Sequence, residues 1–76
     1  MTIAFELPAS GHALVEIFDV RGRLIRRLLD QALPAGSHSR SWDGKDNDGA
    51  TVQSGVYFYR LTAGGQSQAK KMIILK

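Results

Sequence analysis

Apolar and polar positions alternate along most of this chain, and the alternation is broken at short intervals by turn formers. Ile3, Phe5 and Leu7 are set against Ala4 and Glu6, which predicts a first strand that Pro8 ends. After the Ala9-Ser10-Gly11 turn, Ala13, Val15 and Ile17 interleave with Leu14, Glu16 and Phe18 as a second strand, pairing with the first as an antiparallel meander. Asp19 through Gly22 closes it: Gly22 suits positive φ, and the Asp19 carboxylate can accept backbone N–H groups in the turn. Pro34 and Gly36 mark a further turn, followed by a strand from Ser37 to Trp42. The run Trp42-Asp43-Gly44-Lys45-Asp46-Asn47-Asp48-Gly49 is dense in residues that bend the backbone. Thr51-Val52-Gln53 reads as a very short strand. Gly55 permits a bend before the aromatic strand Val56–Ala63, and Gly64-Gly65 predicts a hairpin into a last strand from Gln66 to Lys76.

One segment resists this reading. Leu24, Ile25, Leu28, Leu29, Ala32 and Leu33 recur at spacings of one and four, the period of an amphipathic helix. The stretch is short for an isolated helix and lies among strands. Leu24, Arg26 and Leu28 also fit one face of a strand, with Ile25, Arg27 and Leu29 opposite. Periodicity favours a helix here; the surroundings favour a strand.

With 76 residues the chain is one domain, 1–76, able to bury only about 60% of its unfolded surface. A hydrophobic content of 43% is enough for a core and argues against disorder. No cysteine is present, so neither a disulfide nor a thiolate–zinc framework holds the fold. No apolar run is long enough to span a bilayer and no signal peptide is apparent. The formal charge of +3 is concentrated in Arg21, Arg23, Arg26 and Arg27. Without a groove-entering helix or an RNA-binding motif, that cluster reads as a solvated strand face rather than a nucleic-acid contact.

Candidate chemistry is sparse. Asp43, Asp46, Asn47 and Asp48 could offer oxygens to calcium, yet placing Gly49 at the sixth position of an EF-hand loop puts Gly55 at the twelfth, where a bidentate Glu is required. A structural turn is the better account, and no metal or other cofactor is expected. His12 and His38 have no neighbouring ligand at metal spacing. Ser54, His38 and Asp43 make a triad only on paper, with no nucleophile-elbow motif behind it, so the chain is not expected to be an enzyme. The aromatics Trp42, Tyr57, Phe58 and Tyr59 raise carbohydrate stacking as an alternative. In a strand, however, Tyr57, Tyr59 and Leu61 share one face, and so small a domain needs Trp42, Tyr57 and Leu61 in its core, leaving Phe58 partly exposed.

Five blocks now stand in order: Phe18-Asp19-Val20-Arg21-Gly22-Arg23, Leu33-Pro34-Ala35-Gly36-Ser37-His38, Trp42-Asp43-Gly44-Lys45-Asp46, Gly49 to Leu61, and Lys71-Met72-Ile73-Ile74-Leu75-Lys76. Together they resemble the small Ig-like domain at the C-terminal end of many large secreted bacterial proteins. That family is related to the Ig-like domain of the flagellar hook-capping protein (FlgD-like) and overlaps with the C-terminal sorting domains of the type IX secretion system. The resemblance implies an all-β fold, a small Ig-like antiparallel β-sandwich of about six to seven strands. It also implies that Leu24 to Leu29 is a strand.

For function, the resemblance implies a non-catalytic C-terminal module, secreted or at the cell surface as part of a larger bacterial protein. In the sorting branch the module is an address read by outer-membrane secretion machinery; in the hook-cap branch it is a structural part of a scaffold. Its partners would then be the parent protein's upstream domains and that machinery, with no nucleic acid, no membrane span and a monomeric state in isolation. The positions that carry over to the sorting reading are Gly22, Gly36 and Gly55, the pair Lys70 and Lys71, and Lys76; the glycines are equally explained by turn geometry. Asp43 and Gly44 belong to the turn after Trp42. A Met72–Leu75 strand at a sheet edge would offer backbone groups for strand addition, with Lys70, Lys71 and Lys76 discouraging indiscriminate pairing.

Overall fold

A computed structural model of the chain describes residues 1–75. It contains six strands: β1 (Thr2–Leu7), β2 (Gly11–Asp19), β3 (Leu24–Leu33), β4 (Gly36–Ser41), β5 (Gly55–Ala63) and β6 (Gln66–Ile74). They form two antiparallel sheets, one of β1 and β4 and one in the order β3-β2-β5-β6. The sheets face each other over a core of alternate residues, as an Ig-like sandwich requires.

The first two strands do not form a meander. β1 pairs with β4 in register from Thr2 opposite Ser41 to Leu7 opposite Gly36, while β2 lies in the other sheet. The chain therefore arches across the sandwich at Pro8–Ser10 and again at Pro34–Ala35. Alternation along a strand specifies which face is buried but not which strand lies alongside, and that is why the pattern alone suggested the wrong neighbour. Nor is there a strand at Thr51–Gln53; Thr51 makes an isolated bridge to Lys45.

β2 is central, paired on one side with β3 and on the other with β5. Its alternate residues Ala13, Val15 and Ile17 are fully buried, and β1 contributes Ile3 and Leu7 from the opposite sheet. Leu29 and Leu33 of β3, Trp42, Tyr57 of β5 and Ile74 of β6 complete the core.

The structure resolves the ambiguous segment in favour of a strand and extends it to Leu33. It also explains the helical spacing. Val15 faces Leu29 but Glu16 faces Arg27, and Ile17 faces Arg26 but Phe18 faces Leu24. The strand thus carries an extra residue at Leu28 and another at Ile25, each a bulge in the ladder. Leu28 and Leu29 both pack on the core, as does Ile25. Two bulges convert a period of two into neighbouring apolar pairs four residues apart, which imitates one face of a helix.

The two hairpins of the larger sheet follow their turn residues. At the β2–β3 turn the Gly22 N–H donates to the Asp19 carbonyl at 3.0 Å, with Gly22 at φ 83°. Between β5 and β6, Gly64 and Gly65 adopt φ of 59° and 77°, the paired positive angles of a two-residue turn that matches strand twist.

Candidate functional site

The acidic loop after β4 is built around Trp42. The indole is 2% exposed, meets the Tyr57 ring edge-on at 6.3 Å between centroids, and donates from Nε1 to the Lys45 carbonyl at 2.9 Å. The loop's side chains are used by its own backbone. Asp43 Oδ1 accepts the Lys45 N–H at 3.0 Å, and Asp46 Oδ1 accepts the N–H groups of Asp48 and Ala50, both at 2.9 Å. Gly44 and Gly49 take φ of 77° and 85°, angles that L side chains rarely adopt.

The loop does a second job that the sequence does not advertise. Asn47 donates its N–H to the Ile25 carbonyl and accepts the Arg27 N–H on its side-chain Oδ1, both at 3.0 Å. Arg26 Nη1 reaches the Asp46 carbonyl at 3.2 Å from the other side. Asn47 therefore stands in for a neighbouring strand at Ile25 and Arg27, near the start of β3. Nothing in the local run of turn formers indicated this, because Asn47 and β3 are about twenty positions apart and only the sandwich closure brings them together.

β6 occupies the opposite edge, paired to β5 along its whole length from Gly55 opposite Ile74 to Ala63 opposite Gln66. Gln66 to Lys71 are exposed, so Lys70 and Lys71 present their ammonium groups to solvent on opposite faces of this strand. Lys76 lies outside the described residues. Gly55 opens β5 at φ 154°, and Gly36 opens β4 at φ 124°. Tyr59 and Leu61 are half-buried, on the same side as Tyr57 by their register with β2. A cleft of about 300 Å³ runs between the two sheets beside β6, lined by Phe5, Glu6, Tyr59, Leu61, Gln68 and Lys70.

On the outer face of the larger sheet, Glu16 is 5% exposed although it carries a carboxylate. Arg60 Nη2 donates to Oε1 at 3.0 Å and Arg27 Nη2 to Oε2 at 3.3 Å, one arginine from each flanking strand. The Arg60 guanidinium also lies 4.8 Å from the centroid of Phe18. The two histidines stay apart: His12 pairs with Asp30 across β2 and β3, while His38 donates to the Pro34 carbonyl at 2.8 Å and stacks on Phe5.

Comparison with known proteins decides the family. A family profile described as the FlgD Ig-like domain matches residues 1–67. The chain belongs to this FlgD Ig-like family. Its curated relatives include the basal-body rod modification protein FlgD of Salmonella typhimurium and that of Salmonella typhi. Each is 47% identical over 47 residues, a stretch that is 62% of this chain and 20% of the relative. The chain thus matches about one fifth of those FlgD proteins. The crystal structure of FlgD from P. aeruginosa superposes with a TM-score of 0.70 at 26% identity, over 96% of this chain and 59% of that one. The sequence likeness and the fold agree on a FlgD-type β domain.

Proposed function

We propose that this FlgD-type domain is a non-catalytic structural module within a larger scaffold protein. The family match over residues 1–67 carries the reading, and the disposition of polar groups supports it. The acidic loop's Asp43 and Asp46 hold backbone N–H groups, and Glu16 is held by two arginines, so these side chains brace the fold. Ser54, His38 and Asp43 come from a loop, the small sheet and the Trp42 turn, and His38 is committed to Pro34. The faces of Trp42 and Tyr57 are packed inside, which withdraws two of the four aromatics on which a sugar could stack.

The test is a chimera. Residues 2–75 replace the matching segment of Salmonella typhimurium FlgD, and the hybrid is expressed in a strain lacking that protein. Restored flagellar assembly, seen by electron microscopy and swimming in soft agar, is the expected result. A hybrid that is folded and abundant yet assembles nothing would show that family membership does not carry the scaffold role here.

A sorting address at the cell surface is the second reading, favoured by the exposure of Lys70 and Lys71 on the edge strand β6. A signal peptide and passive reporter fused ahead of Thr2, in a bacterium with type IX machinery, separates the two. Retention of the folded reporter in the periplasm leaves the structural reading; delivery to the surface that is lost in Lys70→Gln/Lys71→Gln makes the basic edge part of an address.

A further inference from the structure

The two edges of the larger sheet are treated differently. The β3 edge is interrupted over its first half: it bears two bulges, and Asn47 occupies the hydrogen-bonding positions at Ile25 and Arg27. Bulges and covering loops are the usual means of keeping an edge from pairing with another chain. The β6 edge has neither. It pairs with β5 over all nine of its residues without a register break, contains no proline, and has no strand on its other side among the described residues. A regular edge strand of that length is a template for strand addition.

Charge decides what the template accepts. Lys70 and Lys71 are adjacent, so one ammonium lies on each face of the sheet, and no acidic residue lies in β6. Met72, Ile73 and Ile74 follow them, with Ile73 57% exposed on the outer face. A second copy is a poor occupant. Antiparallel pairing of β6 about its own centre sets Lys70 opposite Lys70, and like charges directly opposite are destabilising. We propose that β6 is the docking edge for a separate protein, which adds an extended strand carrying adjacent carboxylates opposite Lys70 and Lys71 and β-branched apolar residues opposite Met72 to Ile74. The inward side chains of that strand would enter the cleft beside Lys70, where Phe5, Tyr59 and Leu61 supply apolar wall and Gln68 a polar one. Main-chain bonds then supply affinity while the lysine pair and the cleft supply specificity. This identifies the partner chemistry of the structural module proposed above and rests on that reading.

The probe is a synthetic peptide of the length of β6, with two central adjacent glutamates, valine and isoleucine before them and threonines after. Titration into the isotopically labelled chain is followed by amide chemical shifts, and affinity by anisotropy of a labelled peptide. The expected result is saturable shifts along Gln66–Ile74 and at Phe5, Tyr59 and Leu61, with β3 unchanged. Lys70→Glu/Lys71→Glu, shown to be folded by its spectrum, should weaken binding about tenfold through its two reversed cross-strand pairs. A peptide N-methylated at alternate residues should not bind. Absence of binding, binding at β3, indifference to N-methylation, or dimers of the free chain held through β6 would each overturn the proposal. Those outcomes leave the chimera result unchanged, so failure at this edge is distinguishable from failure of the scaffold role.

Discussion

Trp42 is the side chain whose loss should be felt most. It follows the end of β4, extends the pairing with β1 through its N–H to the Met1 carbonyl at 2.7 Å, and fills the space between the sheets against Tyr57. At 2% exposure nearly the whole indole is withdrawn from water. Trp42→Ala removes that surface and leaves a cavity, a combination that costs about 3–5 kcal/mol. It also deprives the Lys45 carbonyl of its 2.9 Å donor at the start of the loop that covers β3. A domain of this length has a total stability of roughly 4–11 kcal/mol. In urea, where a small domain loses about 1 kcal/mol per molar, the midpoint should fall by about 3–5 M, read by far-UV circular dichroism so that the missing fluorophore does not matter. Trp42→Phe separates the two contributions. It keeps a ring against Tyr57 and loses the N–H, for about 1–3 kcal/mol from the unpaired carbonyl and reduced packing. A Trp42→Ala loss below about 1 kcal/mol would refute the reasoning, because no well-packed indole can be removed so cheaply.

Two further outcomes follow from the polar groups. Either arginine can hold Glu16 alone, so Arg27→Ala combined with Arg60→Ala should cost more than the sum of the single changes, by about 0.5–3 kcal/mol, because only the pair strands the buried carboxylate; additive denaturation energies would remove Glu16 from the account of that face. At Asp19 the hydrogen bond from the Arg23 N–H, followed by that from the Arg21 N–H and the nearby Arg23 guanidinium, holds the carboxyl below the usual carboxylate range against the opposing effect of desolvation. A lowered folded-state value gives stability that is present above the unfolded pKa and lost as pH falls through the folded one. The stability gap between the natural chain and Asp19→Asn should therefore be full near neutrality and narrow below about pH 4; a gap independent of pH would contradict it.

Local chemistry made much of this protein legible from the chain. The alternation in β2 and β5, the positive φ at Gly22 and at Gly64-Gly65, and the burial of a tryptophan in a small sandwich each depend on a residue and its near neighbours. Three features depended on the tertiary structure. β1 pairs with β4 because a strand's alternation names its buried face and not its partner. β3 has a helical spacing because two bulges each insert a residue opposite β2, and a bulge is defined by the partner strand. Asn47 caps the start of one edge of the sheet while β6 is regular along the whole of the other, since edges exist only once strand order is set. Backbone angles and side-chain size act within a few residues and so are written in the sequence. Strand order and edge exposure come from long-range closure of the sandwich, and only the folded chain decides them.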